Sequence, residues 1–155
     1  MSTPAFDPMI LPAEVKDLIN QAFESGSPML LAAVNAQGQP VLSYRGSAQT
    51  YSDDQIGLWI RKAQGDTIEA LRQNPNVALV YRSATTPVLQ FHGRARIATD
   101  PAETAKVFES APAREQASDP ERKGVAIIID LDRVEGVLRR GPDGPVFCRL
   151  ARAAS

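Results

Sequence analysis

The feature that most constrains this chain is a strict alternation of side-chain types between Pro40 and Lys62. A first alternating run starts at Val41, a polar turn follows at residues 51–54, and a second alternating run starts at Gln55. Successive side chains of a β-strand point to opposite faces of the sheet, so a period of two indicates strands. We therefore predict two strands joined by the polar turn.

The two faces of this predicted strand pair differ in chemistry. The face expected to enter a core carries Leu42, Tyr44, Gly46 and Ala48 from the first strand and Ile56, Leu58 and Ile60 from the second. The opposite face carries Val41, Ser43, Arg45 and Ser47, then Gly57, Trp59 and Arg61. Guanidinium and hydroxyl donors match phosphate oxygens through charge-assisted hydrogen bonds. Alternation alone favours a simpler interpretation, an ordinary solvent-facing side of a half-exposed sheet.

The remaining elements follow from apolar periodicity and from Gly and Pro positions. A helix is predicted from near Pro12, a short helix from Asp66 or Thr67, and another from Asp100. Further strands are predicted at residues 29–35, 76–82, 86–97 and 123–139, between a loose arm at residues 1–10 and a tail after Gly141. Gly93 indicates a bulge or a close backbone approach, and Gly136 indicates a bend between two sheet regions. Short links favour antiparallel pairing, and about six strands with flanking helices predict an α+β barrel.

The length and the net charge of the chain limit the number of domains and the kinds of binding partner that we expect. The 155 residues are expected to form a single domain, 1–155, without linkers or repeats. With 17 basic and 18 acidic residues, the chain offers no electrostatic case for binding nucleic acid or an anionic membrane. We find no signal-peptide pattern and no apolar run long enough to cross a bilayer. A cytoplasmic location is therefore expected.

The usual sets of catalytic residues are missing from the sequence. The single histidine, His92, has no neighbours at ligand spacing, so no metal site is expected and a serine triad is disfavoured. Glycine-rich phosphate loops do not occur. The single cysteine, Cys148, lies beside Arg149, which could lower its pKa, although an incidental thiol is the simpler interpretation. No catalytic residue is assigned, and any redox chemistry would have to come from a cofactor.

Several short motifs, in their order along the chain, resemble one known family. They are P-V-L-S-Y-R-G-S at residues 40–47, L-W-I-R at 58–61, L-R-Q-N-P-N-V-A-L-V-Y at 71–81, F-H-G-R-A-R-I at 91–97 and A-I-I-I-D-L-D-R-V-E at 126–135. This pattern resembles the flavin-binding split-barrel proteins related to pyridoxamine 5′-phosphate oxidase. The resemblance covers roughly residues 12 to 138.

The resemblance implies a six-stranded antiparallel split β-barrel with flanking helices, and a homodimer with FMN at its interface. Basic and hydroxyl side chains of the second and third strands and the following helix start would hold the flavin phosphate. In this sequence they are Ser43, Arg45, Ser47, Trp59, Arg61, Lys62 and Thr67, with Gln90 and His92 as candidates from a neighbouring strand or the second subunit. Most of these residues lie on the polar face that the alternation predicts.

Two departures from the family pattern shape the functional prediction. Many relatives have S-x-K where the short helix starts, whereas this chain has Gly65-Asp66-Thr67, so Arg61, Lys62 or backbone N–H groups would replace that charge. The basic residues that the oxidase uses for its substrate's phosphate are also missing. We therefore predict an FMN-dependent oxidoreductase for an unidentified small molecule, distinct from the oxidase itself. The alternatives are a non-catalytic module that binds or senses flavin or haem, and a deazaflavin-dependent relative.

Overall fold

The computed structural model describes residues 3–154, which form nine strands and four helices. The strands are β1 (Asp7–Pro8), β2 (Met29–Val34), β3 (Pro40–Arg45), β4 (Gln49–Ser52), β5 (Gln55–Ile60), β6 (Asn76–Arg82), β7 (Val88–Ile97), β8 (Val125–Gly141) and β9 (Gly144–Ala151). The helices are α1 (Ala13–Gln21), α2 (Asp66–Gln73), α3 (Pro101–Ser110) and α4 (Ala113–Ala117). Within the described residues, none of these helices combines the length and hydropathy needed to cross a membrane.

One sheet contains all nine strands. Its main path runs β1-β9-β8-β7-β6-β2-β3, and β5 joins this path through β8 and carries β4 on its other side. Every pairing is antiparallel except that of β1 with β9. The prediction of six strands was therefore wrong in number, and the path ends at β3 without closing. The extra strands lie in the arm and tail, where proline and glycine masked any periodicity, and in the first alternating run.

The first alternating run is two strands rather than one. β3 ends at Arg45 and pairs with β2, while β4 begins at Gln49 and pairs with β5. The chain turns between them at Gly46. A Cβ on Gly46 would lie 2.6 Å from the Phe23 ring and 2.8 Å from Glu115 Oε1, so a larger residue at this turn would have to displace these two side chains.

The bulge expected at Gly93 is confirmed. The last strand does pass between two sheet regions as expected, but the change of partner lies at residues 131–132 and not at Gly136. The β7–β8 register shifts between His92 and Gly93, and a Cβ on Gly93 would lie 2.4 Å from the Asp130 carbonyl oxygen. The long strand β8 pairs with β7 along one edge. Along its other edge it pairs first with β5, over residues 125–130, and then with β9, over residues 133–141. β8 therefore joins two regions of the sheet, and Gly136 lies in the second of them.

Both faces of the first part of β8, residues 126–131, are largely buried, which explains the β-branched composition there. Ile127 and Ile129 pack into the main core beneath α1 and α2, whereas Ala126 and Ile128 pack into a second core beneath α3. A strand covered on both sides loses the alternation of polar residues that an exposed face would impose. The sequence run A-I-I-I is the signature of that position.

The predicted assignment of the apolar face holds for the Ile56 side of β5 and fails for β3. The opposite side of β5, with Gly57 and Trp59, is buried as well. Ile56, Leu58 and Ile60 are buried, but Leu42 and Tyr44 are 66% and 72% exposed. They belong to an outward-facing surface, which we call the outer face, formed by Leu30, Ala32, Leu42, Tyr44, Ala78, Val80, Gln90 and His92. The side of β3 that carries Arg45 is the half-buried one. Alternation separates two faces but does not indicate which one the rest of the chain covers.

Candidate functional site

A cationic cavity of about 680 Å³ lies where β3, β5 and α2 meet. We call it the cationic pocket. Its lining residues are Arg45, Ile60, Arg61, Lys62, Gly65, Asp66, Thr67, Ser118, Asp119 and Lys123. Four of these side chains are cationic and two are carboxylates. This excess of positive charge favours an anionic ligand.

Arg45 is the half-buried cation of the cationic pocket. Its Nη2 donates a hydrogen bond of 2.9 Å to Thr67 Oγ1. Its Nε is the one buried side-chain polar atom in the described residues that lacks a hydrogen-bond partner. Burial lowers the pKa of Arg45, and the neighbouring charge of Arg61 lowers it further, against an opposing effect of Glu115. A negatively charged ligand would satisfy Nε and relieve this repulsion.

The N-terminus of α2 opens onto the same cavity. Gly65 is the N-cap residue, and no described side chain caps the helix. Gly65, Asp66 and Thr67 all line the pocket, so the free backbone N–H groups of the first turn lie at its wall. Those donors and the positive end of the helix dipole favour an anion such as a phosphate.

A buried hydrogen-bond chain builds the opposite wall. Ser47 Oγ accepts from Trp59 N at 2.9 Å and donates to Trp59 O at 3.0 Å. The Trp59 indole Nε1 donates to Asp119 Oδ2 at 2.9 Å. Asp119 also accepts from the backbone N of Lys123 at 3.0 Å and of Gly124 at 2.8 Å. This chain fastens the loop of residues 118–124 to the end of β5.

The environment of Asp119 holds its carboxylate ionised. Burial alone would raise the pKa of Asp119, which is only 9% exposed. The hydrogen bonds from Gly124, Lys123 and Trp59, with the charge of Lys123, outweigh burial and leave the pKa below its usual range. Asp119 therefore adds stability that is fully present above the unfolded-state pKa and is lost as the pH falls through the folded-state pKa.

We expect Asp119→Asn to lower the free energy of unfolding by about 1–3 kcal/mol at neutral pH, because a charged acceptor of three donors is lost. The deficit relative to wild type should shrink as the pH falls through the folded-state pKa of Asp119, which lies below the usual range of an aspartate, because the wild-type carboxylate then becomes protonated. Urea unfolding followed by fluorescence measures this directly, since Trp59 is the single tryptophan. Asp143→Asn, in the exposed β8–β9 turn, is the control. A deficit that does not change with pH would contradict the assignment.

A family model of pyridoxamine 5′-phosphate oxidase matches residues 11–138, which is most of the chain. The chain belongs to the pyridoxamine 5′-phosphate oxidase family. The matched range contains β2 to β7, nearly all of β8 and the whole cationic pocket.

Solved structures of low sequence identity share this family's split-barrel fold. The HupZ protein of group A Streptococcus is 22% identical, with a TM-score of 0.63, over 94% of this chain and 100% of that chain. An FMN-binding protein from Syntrophomonas wolfei subsp. wolfei is 8% identical, with a TM-score of 0.63, over 81% and 88% of the two chains. A Clostridium acetobutylicum protein of the pyridoxinephosphate oxidase family, related to general stress protein 26, is 12% identical, with a TM-score of 0.58, over 86% and 95%. No curated protein matches the chain significantly.

The structure brings together four of the nine residues that sequence and family resemblance had indicated. Those that line the cationic pocket are Arg45, Arg61, Lys62 and Thr67. Ser43 lies on the Arg45 side of β3 without lining the cavity. Ser47 and Trp59 are buried behind its wall, and the Trp59 ring packs against Phe108 at 4.9 Å between centroids. Gln90 lies on the outer face, away from the lining residues of the pocket.

Sequence reasoning missed the loop that carries Ser118, Asp119 and Lys123. This segment is polar and precedes the last strand, and no binding motif marks it. Because Val125 pairs with Ile60, the residues just before β8 must lie beside the residues just after β5. That pairing is the signal that would have placed Lys123 next to Arg61, and no local pattern reveals it.

The two isolated reactive side chains lie outside this site. Cys148 is 4% exposed, and burial, followed by the charges of Asp7 and Glu14, raises the pKa of its thiol. The expectation that Arg149 could lower this pKa was therefore wrong. His92 is exposed on the outer face, opposite Ala78 of β6.

Proposed function

We propose that the chain binds FMN, with the flavin phosphate in the cationic pocket, and acts as an oxidoreductase on a small molecule. The observation that carries this proposal is the buried Nε of Arg45, which lacks a partner among the described residues in a pocket with surplus positive charge. Membership of the family and the fold shared with an FMN-binding protein support the choice of flavin.

The residues present fit a phosphate. Arg45, already oriented by Thr67, would donate from Nε and Nη to phosphate oxygens. The N–H groups of the first turn of α2 would donate to the remaining oxygens. Arg61 and Lys62, both exposed, would add longer-range attraction. FMN, when bound, supplies the redox chemistry, and the protein supplies binding and orientation.

We further propose that two chains associate through the outer face. Its centre is a groove of about 300 Å³ lined by Leu30, Ala32, Leu42, Ala78, Leu79, Val80 and Gln90. Contiguous exposed apolar surface of this kind marks interaction sites. Strand β3 carries Arg45 on one face and Leu42 and Tyr44 on the other, so the phosphate site and the outer face are adjacent. This adjacency supports a cofactor next to a dimer interface, where Gln90 of the second chain would be available.

The cytoplasmic location stays a prediction.

The deciding experiment is a visible absorption spectrum of the freshly purified protein, followed by mass analysis of the chromophore that heat releases. We expect a flavin spectrum and release of FMN. The apoprotein should then bind FMN more tightly than riboflavin, which lacks the phosphate. A colourless protein that does not bind added FMN would overturn the proposal. Oxidation of reduced nicotinamide by the reconstituted protein, with and without candidate acceptors, separates an oxidoreductase from a non-catalytic flavin carrier.

A further inference from the structure

We propose that Lys123 is a further phosphate-binding residue of the cationic pocket and that Asp119 is its positioning residue. This inference rests on the proposed FMN site and extends it to the loop of residues 118–124. That loop is separate from β3, which carries Arg45, and from the connection between β5 and α2, which carries Arg61 and Lys62. Lys123 lines the cationic pocket, and it also lines an adjoining cavity of about 650 Å³ together with Arg61 and Lys62.

The loop is fastened on both sides of Lys123. The preceding residue, Arg122, places its guanidinium 4.3 Å from the Phe108 ring centroid and adopts a left-handed φ of 53°. Such a conformation in a non-glycine residue persists only where the surrounding contacts impose it. The following residue, Gly124, is pressed against β5, because a Cβ there would lie 2.5 Å from the Ile60 carbonyl oxygen.

Asp119 determines the course of this turn. Its backbone carbonyl accepts from Arg122 N at 3.0 Å, and its carboxylate accepts from the next two backbone N–H groups. The Trp59 indole donates a hydrogen bond to the same carboxylate and so connects the loop to β5. Trp59 is the penultimate residue of β5, two positions before Arg61. The backbone of Lys123 is thus held beside the pocket before any ligand arrives, which lowers the entropic cost of using its side chain.

The side chain of Lys123 is available to a ligand. It forms an ion pair with Glu121 at 2.8 Å, in which the two side chains are 77% and 71% exposed. Exposed pairs of this kind contribute little and exchange partners readily. A phosphate in the pocket, flanked by Arg45 and Arg61, would offer Lys123 a more highly charged partner than Glu121 does.

The test compares binding of FMN and of riboflavin by the full chain and its variants at several salt concentrations. We expect Lys123→Ala to weaken FMN by about two- to fivefold, as for an exposed charge, and to leave riboflavin unchanged. The salt dependence of FMN binding should also become shallower. Lys123→Arg should retain most of the affinity. Arg140→Ala, which removes an exposed charge near the β8–β9 turn, is the control and should have no effect.

A double-mutant cycle tests the positioning role of Asp119. We expect Asp119→Asn to weaken FMN about two- to fivefold in the wild-type background and not at all in the Lys123→Ala background, because both changes act through one side chain. Equal effects in both backgrounds would overturn the positioning role. If Asp119→Asn does not fold, Trp59→Phe, which removes one donor to the carboxylate, replaces it with the same expectation.

The outcomes separate this inference from the proposed function. If Arg45→Ala weakens FMN but Lys123→Ala does not, Lys123 is not a phosphate-binding residue and the FMN site remains. If neither variant changes the affinity for FMN, the phosphate is not in the cationic pocket and both proposals fail.

Discussion

Replacing Arg45 with alanine is expected to raise the dissociation constant for FMN by roughly 10- to 150-fold. A hydrogen bond to a charged group contributes about 1.5–3 kcal/mol, and each 1.4 kcal/mol corresponds to a factor of ten. We expect Arg45 to contribute a binding free energy of this size because it is half-buried and is held by Thr67, with Nε free to donate. Quenching of flavin fluorescence on titration with apoprotein measures the change. Riboflavin affinity should be the same in wild type and variant, because the lost contacts go to the phosphate.

Two further arginine variants serve as comparisons for Arg45. Arg61→Ala should cost less, about 1 kcal/mol or below, because its side chain is exposed and screened by solvent. Arg72→Ala removes an exposed charge at the other end of α2 and should leave FMN affinity unchanged. An Arg45→Ala variant that binds FMN as tightly as wild type would show that the phosphate is bound elsewhere.

Replacing Leu42 with arginine is expected to convert the proposed dimer to a monomer. Leu42 is 66% exposed in the single chain and lies in the middle of the outer face, paired with Ala32. An ionised side chain buried there without a partner would cost several kcal/mol, so the dimer dissociation constant should rise at least about 100-fold. Sedimentation or light scattering over a range of protein concentrations measures it.

The matched control for Leu42→Arg is Val146→Arg. Val146 is also an exposed apolar residue, but it lies on β9, away from the outer face. This variant should associate as wild type does. A wild-type protein that is monomeric at high concentration would remove the proposed interface. Retention of the dimer by Leu42→Arg would place the interface on another surface. If the cofactor lies beside the interface, Leu42→Arg should also weaken FMN.

Features set by neighbouring residues could be predicted from the sequence. The alternation of Ile56, Leu58 and Ile60 identified a strand and one of its two buried faces, because one residue's direction determines that of the next. The bulge at Gly93 was predictable because glycine weakens the interior of a strand and often marks a bulge there. The position of Arg45 and Thr67 in one site came from the family resemblance and the polar face together.

Features set by distant residues could not be predicted. Whether the Leu42 side of β3 is covered depends on the path of the whole sheet. In the single chain this side is exposed. The contact between Trp59 and Asp119 joins positions 60 residues apart and depends on the pairing of β5 with β8. Strand β9 was missed because Pro145 and two flanking glycines concealed a short alternating run.

Strand β8 pairs with both β5 and β9 along one edge, and this has a consequence for the order in which parts of the chain fold during synthesis. β5 reaches the rest of the sheet through β8, and its other neighbour is the short strand β4. While a ribosome has released only the first hundred residues or so, Arg45 and Thr67 exist but β5 has no sheet to join. The wall that carries Arg61 and Asp119 assembles only after β8 emerges. If the proposed phosphate site is correct, a chain truncated before Val125 should be unable to retain the phosphate ligand. Binding of that ligand would then show that synthesis had reached the last strands.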